Sequence, residues 1–198
     1  MGIRVAQMVI DMTEKIGFLF PGQGAQTVGM GKDFYDAFPA AKSVYDRADE
    51  ILGYSVSKIC FDGPESELTR TVYAQPAIFV TSAAILAVLR EKFSLLKPSF
   101  SAGLSLGEFT ALVASGAISF EDGLKLVRKR AEAMEKACQD HPGTMASILG
   151  MSLEDCQSVA QDAGCQVASR YSPEQIVLSG THESIQRACS LAEERGAK

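Results

Sequence analysis

An α/β protein in two parts is what this sequence of 198 residues predicts, and three observations carry the expectation. Up to about residue 140, compact apolar runs alternate with helical segments, the order that builds a parallel sheet. After His141-Pro-Gly143 the order becomes strand, helix, strand, strand, helix. Hydrophobic residues make up 46% and charged residues 22%, the balance of a chain able to bury a core.

The elements follow in order. Residues 1–14 show no strong pattern and read as a leader. Lys15-Ile-Gly-Phe-Leu-Phe20 is a short apolar run that predicts a buried strand, closed by Pro21-Gly22. Pro39 suits the first turn of a helix reaching Leu52, with Gly53 as its left-handed stop. Pro76 is read as opening a second helix, from Gln75 to Phe93. Its Ile78, Val80, Ile85, Leu86 and Leu89 are apolar nearly all round, which predicts a core helix. Ser99–Ala102 is a short strand entering the turn Gly103-Leu-Ser-Leu-Gly107, and the next helix is stopped by Gly116. Ser119, with Asp122 three residues on, resembles a capping box opening a helix to about Ala137.

Beyond Gly143, Thr144–Leu149 reads as a strand and Leu153–Ala163 as a helix capped by Ser152 and stopped by Gly164. Cys165–Ser169 and Gln175–Ser179 are further strands, and Glu183–Arg195 is a last helix. That order is a ferredoxin-like unit lacking its final strand. The expected division is a leader over 1–14, a first part over 15–140 and an incomplete ferredoxin-like part over 141–198. The chain is expected to be a piece of a longer polypeptide, truncated before the last strands.

Composition excludes several classes. Lys and Arg total 19 against 24 Asp and Glu, a net charge of -5, whereas a nucleic-acid binder shows a basic face. No apolar run approaches the roughly 20 residues of a membrane span. The stretch Val5-Ala-Gln-Met-Val-Ile10 is cut by Asp11 with no cleavage pattern after it, so no secretory signal is expected. Cys60, Cys138, Cys156, Cys165 and Cys189 are odd in number and form no CxxC pair, which points to reduced thiols in the cytoplasm and to no zinc site.

Gly103-Leu-Ser105-Leu-Gly107 fits G-x-S-x-G, the nucleophile elbow of α/β-hydrolase-like sheets. A serine hydroxyl is a weak nucleophile. It needs exposure, a base and donors ready for the oxyanion that forms. A strained strand-to-helix turn exposes it, and the helix after it aims amides and a positive dipole end at the reaction centre. The competing reading is an ordinary glycine-rich turn, and the strand before and helix after favour the elbow. Pro21-Gly22-Gln23-Gly24 after the first strand is either a tight turn or a loop whose amides face a ligand. It has neither the Lys-Ser/Thr of a P-loop nor the G-x-G-x-x-G spacing.

FLFPGQGAQTVGMG, SAGLSLGEFTALVASGAISFEDGLKLVRKRAEAM and YSPEQIVLSG resemble the malonyl-CoA:acyl carrier protein transacylase family. That family includes the acyltransferase domains of fatty acid and polyketide synthases, and the resemblance runs from about Lys15 to the last residue. It implies an α/β-hydrolase-like large subdomain with a ferredoxin-like small one. It also implies transfer of a malonyl group from malonyl-CoA, through a serine ester, to the pantetheine thiol of acyl carrier protein in fatty acid biosynthesis. The coenzyme A thioester is then substrate, and no cofactor is implied. By the resemblance Ser105 is the nucleophile. The backbone N–H groups of Gln23 and Leu106 form the oxyanion hole, and Arg130 holds the malonyl carboxylate. A guanidinium fork suits a carboxylate, while from the residues alone Arg130 reads as part of a solvated basic helix face. Glu108 and Met134 belong to the matched motifs without an assigned role.

Three departures stand out. Leu104 occupies the position before the serine where the family commonly has histidine. The family's catalytic histidine is expected beyond Lys198, because His141 lies in a loop and His182 at a helix start, both expected to face solvent. Ser169–Glu174 falls where relatives often carry asparagines. The alternatives are a serine (thio)esterase of the α/β type, which would leave Arg130 unexplained, and a non-catalytic module binding carrier protein or coenzyme A.

Overall fold

The structure, a computed structural model, describes residues 15–198, so the leader expected over 1–14 lies outside the described residues. Its content is mixed α and β. The chain divides into two compact units, one ending at Glu135 and one spanning Lys136–Lys198. The division falls inside a helix that runs on to Asp140.

The first unit holds two parallel strands, β1 (Gly17–Phe20) and β2 (Phe100–Gly103), in register from Gly17↔Phe100 to Phe20↔Gly103. Between them lie α1 (Lys32–Ala37), α2 (Pro39–Leu52), α3 (Val56–Asp62), α4 (Glu65–Leu68) and α5 (Thr71–Lys92). After β2 come α6 (Gly107–Ala114) and α7 (Phe120–Asp140). Helix α2 has the bounds the sequence suggests. Pro39 sets the first φ, Ala41, Tyr45, Ala48 and Leu52 make one buried stripe, and Gly53 at φ 74° ends it. Helices α1, α3 and α4 were not anticipated. At 6, 7 and 4 residues, they are too short for a 3.6-residue period to show. Ser119 opens α7 as expected, accepting from the Asp122 N–H at 3.0 Å.

Three expectations need correction in this unit. Helix α5 starts at Thr71, so Pro76 sits inside it and not at its opening. The bond its missing N–H forfeits is outweighed by burial of Ala74, Ala77, Ile78, Phe79 and Val80. Helix α5 is also long and apolar enough to cross a membrane by length and composition, which the sequence reading missed. Its apolar surface is spent in the core, with 67% of that window buried. Strand β1, finally, is not buried. Leu19 is 76% exposed, because the sheet among the described residues has only two strands. A cavity of about 370 Å³, lined by Phe18, Phe20, Ile78, Ile85 and Leu89, runs along it.

The second unit contains β3 (Thr144–Leu149), α8 (Leu153–Ala163), β4 (Gln166–Ser172), β5 (Gln175–Gly180) and α9 (His182–Glu194). The sheet is antiparallel in the order β3-β5-β4. Central β5 buries Ile176, Val177 and Leu178, and Cys156, Val159, Ile185 and Ala188 pack on Ile176 and Leu178 from the helices. Ser152 and Thr181 cap the helices, accepting from the Asp155 and Ser184 N–H groups at 3.1 Å each. Strand β4 continues to Ser172, beyond the Ser169 expected, since Ser172 pairs with Gln175 across a two-residue turn. On the free edge of β3, the Leu149 N–H donates to the Lys198 carbonyl at 2.7 Å and the Lys198 N–H returns the bond at 3.0 Å.

Candidate active site

The elbow is built by close backbone approach. A Cβ on Gly103 would stand 1.9 Å from the Gly107 carbonyl carbon, and one on Gly107 would stand 2.2 Å from the Phe20 carbonyl oxygen. Only glycine fits at either position, so the turn folds back onto itself and onto the end of β1. The Leu104 N–H bonds the Phe20 carbonyl at 3.2 Å, and the Gly107 N–H bonds the Leu104 carbonyl at 2.9 Å. Between them Ser105 has φ 53°, a left-handed value that costs a non-glycine residue about 1–3 kcal/mol. The result is an exposed Ser105 beside a wholly buried Leu106. Helix α6 then begins at Gly107 with Glu108 in its first turn, a favourable place for a carboxylate.

The loop after β1 lies against this turn. A Cβ on Gly22 would come 2.6 Å from the Leu104 carbonyl oxygen. Among the described residues, neither the Gln23 nor the Leu106 backbone N–H donates to a backbone acceptor.

Arg130 reaches the serine from α7. Its Nη2 donates to Ser105 Oγ at 2.6 Å, and its Nη1 donates to Gln75 Oε1 at 2.6 Å. The guanidinium lies 5.8 Å from the Phe109 ring centroid. Arg128 and Lys129 are exposed while Arg130 is half-buried, so the solvated-face reading holds for its neighbours and fails for Arg130. Gln75 is wholly buried. Its Nε2 donates to Gln23 Oε1 and to Met134 Sδ, each at 3.2 Å, and Gln23 Nε2 donates to Thr71 Oγ1 at 3.2 Å. Met134, four residues after Arg130, shares its helix face and so gains a contact the sequence did not assign.

The structure therefore brings Ser105, Arg130, Gln23 and Leu106 into one neighbourhood. His141 and His182 are exposed in the second unit, and Leu104 is 50% exposed next to the serine. Among the described residues no group of His, Cys, Asp or Glu gathers that could hold a metal ion. Gln75 was missed. The signal is a single amide in a helix otherwise apolar nearly all round, which the sequence analysis gives only as that helix's first residue.

An exposed serine on a strained strand-to-helix turn with a guanidinium beside it has the geometry of a nucleophile elbow. The acyl transferase domain family matches residues 17–198, and the chain belongs to that family. It is 48% identical over 189 residues to a malonyl CoA-acyl carrier protein transacylase of Bacillus subtilis, covering 93% of this chain and 59% of that protein. Among solved structures, the malonyl CoA-acyl carrier protein transacylase of Clostridium perfringens superposes with a TM-score of 0.85 at 42% identity, over 93% of this chain and 59% of that one. A malonyl-transacylase in complex with its type II PKS acyl-carrier protein superposes with a TM-score of 0.85 at 37% identity, over 93% of this chain and 61% of that one. The chain thus spans about three-fifths of the length of these relatives.

Proposed function

We propose that the protein transfers a malonyl group from malonyl-CoA to the pantetheine thiol of acyl carrier protein, in fatty acid biosynthesis. The observation that carries this is the 2.6 Å contact from Arg130 Nη2 to Ser105 Oγ. A guanidinium one hydrogen bond from the nucleophile can hold a carboxylate that lies a few bonds from the acyl carbon under attack. In the first half-reaction Ser105 Oγ bonds the thioester carbonyl carbon and its proton passes to a base. The oxyanion is held by the Gln23 and Leu106 N–H groups, and the carbon–sulfur bond then breaks to release coenzyme A. The pantetheine thiol reverses the sequence, taking the acyl group as Ser105 regains its proton. No base is assigned among this chain's residues, since both of its histidines, His141 and His182, are exposed in the second unit.

Support for the partner comes from the neighbouring malonyl-transacylase held by its acyl-carrier protein. An esterase gives Arg130 no task. The finer architecture we propose is an α/β-hydrolase-like large subdomain with a ferredoxin-like small one. The sheet order β3-β5-β4 and the reciprocal Leu149–Lys198 pair on β3's free edge support the second part. The five free cysteines fit a reducing compartment, and we assign the protein to the cytoplasm.

The test is transfer to acyl carrier protein by the natural-length polypeptide and its Arg130→Ala variant, with malonyl-CoA and acetyl-CoA side by side. Loss of charge-assisted bonds to the carboxylate predicts about a 100-fold fall for malonyl and a few-fold change for acetyl. Equal losses for both substrates would overturn the carboxylate assignment.

A further inference from the structure

Among the described residues, Gln75 is one of very few polar side chains of the first unit that are completely buried, and a buried amide is costly unless its hydrogen bonds are made. Both of its ends are engaged, and they are not interchangeable. A guanidinium only donates, so the Oε1 end must face Arg130, which it meets at 2.6 Å. The Nε2 end faces two acceptors, Gln23 Oε1 and Met134 Sδ, each at 3.2 Å. Gln23 is itself oriented, because its own Nε2 is used on Thr71 Oγ1 at 3.2 Å. Donation thus runs one way, from Arg130 through Gln75 and Gln23 to Thr71, and the donor-only guanidinium fixes which end of the Gln75 amide Arg130 sees.

We infer that Gln75 is a positioning residue, whose buried amide aims the Arg130 guanidinium at Ser105 and keeps its charge available for a substrate carboxylate. This rests on the proposed malonyl transfer and goes beyond it by naming what holds the clamp. The chemistry demanded at position 75 is narrow. Methionine would fill the volume and accept nothing of comparable strength, freeing Nη1. Glutamate would accept from Arg130 and neutralise it, while presenting a carboxylate to Gln23 Oε1 with no proton to give. An amide alone accepts on one side, donates on the other and adds no charge.

The experiment uses the natural-length polypeptide and compares malonyl-CoA with acetyl-CoA as donors, in wild type, Gln75→Met, Gln75→Glu, Arg130→Ala and Gln75→Met/Arg130→Ala. The expected result is a KM for malonyl-CoA raised about tenfold or more in Gln75→Met, and further in Gln75→Glu, with kcat within threefold. Acetyl transfer should change less than threefold, and Gln75→Met should add nothing to the malonyl:acetyl preference already lost in Arg130→Ala. Equal losses for both donors would overturn the inference, as would an unchanged preference or an additive effect in the double variant. Loss of the folded state in both Gln75 variants, seen by circular dichroism, would overturn it too, by making the amide merely structural. A wild type that forms no malonyl carrier protein would instead overturn the transfer reading itself, and the two failures are thereby told apart.

Discussion

The two units solve the same problem of pairing strands in opposite ways. In the first, β1 and β2 run parallel and are separated in the chain by five helices, because a parallel pair needs a crossover. In the second, β4 and β5 run antiparallel across a two-residue turn, and β3 adds to the same central strand. Backbone strain divides the same way. Every positive φ in the second unit belongs to a glycine, at Gly150, Gly164 and Gly196. Among the described residues the sole non-glycine with positive φ is Ser105, in the first unit. A parallel crossover gathers segments remote in sequence at the ends of its strands, and the strained residue sits at that meeting point. The antiparallel unit, built from local pairings, carries no comparable feature.

That contrast can be broken most severely at Ser105. Replacing it with glycine should lower transfer at least about 1000-fold while raising stability by up to about 1 kcal/mol, because glycine adopts φ 53° without strain. Transfer assays together with urea unfolding check both halves. A variant that is less stable than wild type would mean the serine conformation stores no strain.

The next effect compares glycines. Gly103→Ala places a methyl group 1.9 Å from backbone that cannot move aside, and should cost more than about 3 kcal/mol. Gly164, the left-handed cap of α8 at φ 74°, has open space around its Cβ direction, so Gly164→Ala should cost about 1 kcal/mol. Denaturant midpoints decide, and similar losses at the two sites would show that the elbow relaxes as freely as a helix cap.

The legibility of the sequence follows the same division. Helix α8 was readable to the residue, because Ser152 and Gly164 are local signals that act on their own neighbours. Strand β3 was readable from its own apolar run. The elbow was legible as well, since Gly103, Ser105 and Gly107 lie within five consecutive residues and each is required by backbone geometry. The amide network was not. Gln23, Gln75 and Arg130 come from a loop, α5 and α7, and no local spacing shows that a glutamine in an apolar helix faces an arginine. The start of α5 was misplaced for a related reason. Pro76 carries a local penalty, and the burial that outweighs it comes from distant helices.

A smaller effect lies in the thiols. Burial pushes the Cys60 thiol from 9.0 up to about 12, with Thr81 opposing weakly. The folded state then holds this proton more tightly than the unfolded chain does. The contribution is fully present below pH 9 and is lost as pH rises from 9 towards 12. Unfolding measured across that range should show a decline that Cys60→Ala makes shallower. With iodoacetamide at pH 8, exposed Cys138 should be modified while Cys60 stays free. Rapid labelling of Cys60 would show that the first unit opens far more readily than its packing implies.

The most direct test of the whole account is the intact mass of the natural-length polypeptide after brief exposure to malonyl-CoA, beside its Ser105→Ala variant. A single malonyl increment on the first and none on the second is the predicted result, and it establishes nucleophile and acyl group together. An increment that survives in Ser105→Ala, or none in either protein while acyl carrier protein still binds, would contradict the assignment of this elbow as the acyl-carrying site.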